Sequence, residues 1–169
     1  MPSEAEPFDP SAALQALAQG GVDFVVIGGV VGGAHGSSYG TFDLDVVYGR
    51  YRENLERLAA VLRSLGATLR GATSDVPFQL DAETLEAGDH FTFSTRLGSI
   101  DIFGRPAASP RYETLKAAAT TIDVEGHAVR VASLDHLIAM KEAAGGPRDK
   151  LMATEYRVLA DELRAPREP

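Results

Sequence analysis

Two aspartates one residue apart, Asp43 and Asp45, are the side chains best placed to do chemistry in this sequence. They lie in Phe42-Asp43-Leu44-Asp45-Val46-Val47-Tyr48, a run whose apolar and β-branched content predicts a strand. Side chains alternate along a strand, so both carboxylates leave one face, about 6 to 7 Å apart, while Phe42, Leu44 and Val46 take the other. Two acids on one face repel each other unless a cation sits between them. Carboxylate oxygens suit hard ions such as Mg²⁺, and two such ions about 3.5 to 4 Å apart can clamp the attacking and leaving oxygens of a phosphoryl transfer. A third carboxylate, Asp101, lies inside the apolar run Ser99-Ile100-Asp101-Ile102-Phe103, where an acid is costly unless it is paired or metal-bound. An isolated Asp-x-Asp also suits a strand edge facing water, so these acids need support from their surroundings.

That support lies upstream. Phe24-Val25-Val26-Ile27 is a short apolar run predicting a buried strand, and Gly28-Gly29 follows it before a short helical stretch from Val30 to His35. A strand, a glycine pair and a helix start together present backbone N–H groups to a phosphate, although glycines at such a turn can also serve tight packing alone. The run lacks the Gly-x-Gly-x-x-Gly order of a dinucleotide site, and no Gly-Lys-Ser/Thr follows to make a P-loop.

The segment IGGVVGGAHGSSYGTFDLDVVYG resembles the nucleotidyltransferase superfamily with the DNA polymerase β-like fold. The shared pattern is a glycine pair after the first strand, Asp-x-Asp on the next and a third acid on a later strand; thirteen residues separate Gly29 from Asp43 here. The segment most resembles small bacterial members of toxin–antitoxin and abortive-infection systems, and the run LDHLIAMKEAAGGPRDKL at residues 134–151 is also similar to theirs. The resemblance implies that Asp43, Asp45 and Asp101 are catalytic and hold two Mg²⁺ or Mn²⁺ ions. Gly28, Gly29, Ser37, Thr41, Lys141 and Arg148 would then hold an NTP such as ATP. It further implies transfer of a nucleoside monophosphate to an acceptor hydroxyl, with a cognate toxin or antitoxin as partner. The alternative is a non-catalytic antitoxin-like module, against which the presence of all three acids weighs. Relatives often carry an arginine where this chain has Tyr39, and a further acid where it has Met152 or Ala153.

The elements that must position these residues read as a mixed α/β sheet with a helical C-terminal segment. A first helix is capped by Asp9 and started by Pro10. Leu55, Leu58, Leu62 and Leu65 recur at helical spacing, a short strand is expected at 67–70, and 71–89 shows no clear period. Two hairpins are expected, His90 to Phe103 around Leu97-Gly98 and Ile122 to Val131 around Glu125-Gly126. Two helices close the chain, one from Ser133 with Leu134, Leu137 and Ile138 inward, the other from Pro147 with Leu151, Val158, Leu159 and Leu163 inward. The core is expected over 10–106 and the C-terminal segment over 107–163, with frayed ends at 1–8 and 164–169. His35, His90, His127 and His136 have no metal-ligand spacing.

The composition sets outer limits. With 169 residues, 44% hydrophobic and 24% charged, the chain can bury one substantial core. It has no cysteine, hence no thiolate zinc site and no cysteine nucleophile. A net charge of -8 argues against a broad nucleic-acid surface and favours a protein hydroxyl or a small compound over tRNA as acceptor. No signal peptide or membrane span is read, so a cytoplasmic location is expected.

Overall fold

The computed structural model describes residues 8–35, 43–73, 75, 77–106 and 109–166. Seven strands make one mixed sheet in the order β3-β4-β5-β2-β1-β7-β6. Strand β2 (Asp43–Tyr48) lies at its centre, with β1 (Phe24–Ile27) antiparallel on one side and β5 (Gly98–Phe103) parallel on the other. Strands β4 (His90–Thr95) and β3 (Thr68–Leu69) extend the sheet beyond β5. The hairpin of β6 (Thr120–Val124) and β7 (His127–Val131) joins the opposite edge through the parallel β1–β7 pair.

The alternation expected for β2 decides which side becomes core. Leu44, Val46 and Tyr48 are fully buried with Ile100, Ile102 and Phe93 of the neighbouring strands. Helix α4 (Ala82–Ala87) lies on this face, where the Tyr48 hydroxyl donates to the Leu85 carbonyl at 3.2 Å. Helix α3 (Arg52–Ser64) packs on α4 through its leucine stripe. Its first turn is held by the buried Asn54, whose side chain accepts from the Asp23 amide and donates to the Asp23 and Gly49 carbonyls. One polar side chain thereby ties α3 to the start of β1 and the end of β2.

Helix α1 (Pro10–Gln19) begins as expected, with Asp9 accepting from the Ala12 amide at 3.0 Å. Helix α4 lies inside the stretch without clear period; its start is marked by Asp81, which accepts from the Thr84 amide and whose carboxyl this bond lowers below its usual pKa. The first hairpin turns one residue earlier than expected. Thr95 pairs with Gly98, so Arg96 and Leu97 form the turn and Gly98 begins β5. Helix α5 (Tyr112–Ala118) precedes β6.

Helices α6 (Leu134–Ala144) and α7 (Pro147–Arg164) close the chain and pack on each other. Ser133 caps α6 by accepting from the His136 amide at 3.2 Å. Of the inward face expected for α7, only Leu159 packs against the core, and the other three residues do not. Leu151, Val158 and Leu163 are 62%, 51% and 64% exposed, while Met152, Ala153, Tyr156 and Ala160 are buried. Tyr156 decides the rotation: it packs so close to Gly32 of α2 (Gly29–Ala34) that a Cβ there would come to 2.4 Å from its hydroxyl. Small residues at 153 and 160 let the helix approach.

Candidate active site

The sheet register brings the three acids together. Asp45 is the direct partner of Asp101 across the parallel β2–β5 pair, and Asp43 is opposite Ser99 one pleat back. All three therefore project from the face opposite Leu44 and Val46. On the other side of β2, Ile27 pairs with Asp45, so the chain leaves β1 into Gly28 beside that carboxylate. Gly28 has a φ of +78°, and a Cβ on it would come to 2.3 Å from Asp45 Oδ2. Only glycine permits both the left-handed backbone and this approach. Gly29 then opens α2, and the Gly32 amide donates to the Gly28 carbonyl at 3.2 Å.

Two cations from distant parts of the chain complete the cluster. Arg70, just past β3, donates from Nη2 to Asp101 Oδ1 at 2.8 Å and places Nη1 3.6 Å from Asp43 Oδ1. Lys141, in the last turn of α6, lies 3.3 Å from Asp149 Oδ1 in the first turn of α7, and its charge acts on Asp45. Arg148 is exposed beside that pair. Ser37 and Thr41, with Tyr39, lie outside the described residues.

The electrostatics follow from three acids and a partly dry site. Burial, helped by the Asp101 and Asp43 carboxylates, pushes Asp45 up to about 7, against the pull of Lys141 and Arg70. Burial also raises Asp101, opposed by Arg70 and by a hydrogen bond from Thr92, its partner on β4. Beyond Thr92 on the same face, His90 stacks on Phe103 with ring centroids 4.2 Å apart.

This architecture has solved counterparts. The chain superposes on the lincosamide antibiotic adenylyltransferase LnuA, solved with lincomycin bound, with a TM-score of 0.61 at 9% identity, covering 91% of this chain and 99% of that one. It superposes on the antibiotic-resistance factor ANT(2'')-Ia with a TM-score of 0.55 at 14% identity, covering 89% and 80%. A nucleotidyltransferase-like protein from Paracoccidioides brasiliensis gives 0.57 at 17% identity, covering 94% and 76%. The fold is that of the nucleotidyltransferases. No family model matches the chain, and no curated protein matches its sequence.

Within this nucleotidyltransferase fold, the acids form a donor set suited to a hard divalent ion: carboxylate oxygens, mutually repulsive, with one of them kept from ionising freely. Among the described residues, no three acidic or histidine side chains are yet drawn in closely enough to hold an ion. In this structure the Arg70 guanidinium bridges Asp43 and Asp101. Sequence reading missed Arg70 as part of the cluster. It is two residues from Thr68, so it shares that residue's face of the sheet, but only the strand order shows that this is the face of the acids. Among the described residues, no helix is long and apolar enough to cross a membrane.

Proposed function

We propose that the protein is a metal-dependent nucleotidyltransferase that moves a nucleoside monophosphate from an NTP to a hydroxyl of a compact acceptor. The observation that carries this reading is the register of Asp45 against Asp101 with Asp43 on the same face. Asp43, Asp45 and Asp101 would hold Mg²⁺, which when bound supplies charge neutralisation at the phosphate oxygens. Gly28 and Gly29 offer backbone N–H groups to the triphosphate, and Lys141, oriented by Asp149, adds positive charge beside it. The acceptor oxygen forms its bond to the α-phosphorus as the bond to pyrophosphate breaks. Asp101, directly beside Asp45 on the neighbouring strand, would accept the hydroxyl proton.

The acceptor class rests on two supports. A charge of -8 disfavours a long RNA footprint, and LnuA and ANT(2'')-Ia share the fold and are named for their action on, or resistance to, antibiotics. We therefore favour a small hydroxylated compound. The toxin–antitoxin context rests only on the sequence resemblance of residues 22–50, Asp101 and 133–151. The test is incubation with each NTP and Mg²⁺ in the presence of a panel of hydroxylated compounds, including lincomycin and tobramycin. Pyrophosphate release together with an acceptor heavier by one nucleoside monophosphate is the expected result. Absence of pyrophosphate with every NTP and acceptor, from folded protein, would sink the reading.

A further inference from the structure

Arg70 is the group that the functional reading leaves unassigned. It lies just past β3, an edge strand of two residues, and reaches across the sheet to acids on two other strands. Its two terminal nitrogens divide the task, Nη2 on Asp101 Oδ1 at 2.8 Å and Nη1 on the Asp43 Oδ1 side at 3.6 Å. A planar guanidinium suits such a bridge because its donors are fixed in one fork. We propose that Arg70 is a built-in placeholder cation, holding Asp43 and Asp101 apart from an incoming divalent ion until that ion displaces it. The inference rests on the functional reading above, in which these carboxylates hold metal.

Arg70 and a divalent ion compete for the same oxygens. A carboxylate oxygen engaged by a guanidinium at 2.8 Å has less lone-pair density to offer an ion, and a divalent ion at that oxygen would repel the guanidinium at close range. Without Arg70 the three acids would stand with Lys141 as the remaining cation that acts on Asp45. The arginine thus neutralises the metal-free face at the cost of metal affinity. Its side chain is 39% exposed, so it can leave without breaking core packing, and its freed charge is then available to phosphate arriving with the ion.

The test titrates Mn²⁺ alone, without nucleotide, into the full chain, followed by calorimetry and by the loss of the free Mn²⁺ resonance. Arg70→Gln removes the charge; Arg70→Lys keeps the charge and loses the fork. Arg70→Gln should bind Mn²⁺ about fivefold more tightly than the unaltered chain, as loss of a partly exposed ion pair implies, with Arg70→Lys in between. Equal or weaker binding by Arg70→Gln would overturn the placeholder while leaving the functional reading intact. If the unaltered chain and both variants bind no Mn²⁺, the metal site itself is lost and both readings fall with it. Should Arg70→Gln not fold, Arg70→Lys decides: tighter Mn²⁺ binding supports the inference, and unchanged or weaker binding ends it.

Discussion

Gly28 and Asp45 are built against each other: the left-handed turn after β1 leaves no room for a side chain beside the Asp45 carboxylate, which a Cβ would meet at 2.3 Å. Gly28→Ala therefore combines backbone strain with a clash at the most perturbed acid of the site. We expect a loss of about 2 to 3 kcal/mol in stability and a fall in transfer that exceeds it. Chemical denaturation beside a pyrophosphate-release assay checks both. Unchanged stability would mean that the turn relaxes away from Asp45.

Removing an acid should separate chemistry from folding. Asp43→Asn, Asp45→Asn and Asp101→Asn each delete a charged oxygen from the cluster, and each should lower transfer at least a hundredfold with the far-ultraviolet spectrum unchanged. Near-normal turnover by folded Asp45→Asn would remove that residue from the reaction.

The same variant carries a prediction about pH. The pKa of Asp45 is raised from 3.8 to about 7, so the native state favours its proton more than the unfolded chain does. The stability it contributes is full below about pH 4 and is lost as the pH rises through about 7. In chelator, Asp45→Asn should accordingly match the unaltered chain near pH 4 and exceed it at pH 8, by on the order of 3 kcal/mol. Urea denaturation across that range reads the difference, and a gap that closes towards high pH would contradict the assignment.

Lys141 and Asp149 act as a pair across the α6–α7 junction. If Lys141 meets the triphosphate as proposed, Lys141→Ala should raise the KM for NTP about tenfold by removing a charge-assisted contact. Asp149→Asn, which only loosens the lysine, should raise it less. Steady-state kinetics with varied NTP tests the order, and a larger effect at Asp149 would reverse the roles.

Docking of the last helix can be probed at Gly32 and Tyr156. Gly32→Ala should destabilise the protein by about 2 kcal/mol through overpacking against the tyrosine ring. Trimming the ring in Gly32→Ala/Tyr156→Leu should recover part of that loss in a double-mutant cycle, whereas strict additivity would show that the two do not touch.

How much of this was legible beforehand depended on the range of each signal. Asp43, Asp45, Asp101 and the glycine pair could be read because strand alternation and a local turn act over a few residues. The pairing of β2 with β5, which puts Asp101 opposite Asp45, is a long-range fact that only the sheet shows. Arg70 was invisible because its face is set by the strand order β3-β4-β5-β2, a non-local fact. On α7, counting leucines and valines found Leu159 but misplaced Leu151, Val158 and Leu163. Burial there follows the contact of Tyr156 with Gly32 and the small size of Ala153 and Ala160, which periodicity does not weigh. Helix α4 has its Asp81 cap in the sequence, but six residues are too few to raise a period above the surrounding irregular chain.

Strand β2 sits in the middle of seven strands and β3 at one edge, and this places the acids and their arginine in different layers of cooperativity. Amides of β2 and β5 should exchange with solvent only when the molecule opens globally, whereas a two-residue edge strand frays in local excursions. The carboxylate array is accordingly carried by the slowest-breathing part of the molecule, and Arg70 by one of the fastest. Fluctuations of the edge can lift the guanidinium away many times over before the acids shift relative to one another, so the array is exposed to solvent ions on the timescale of fraying rather than of unfolding.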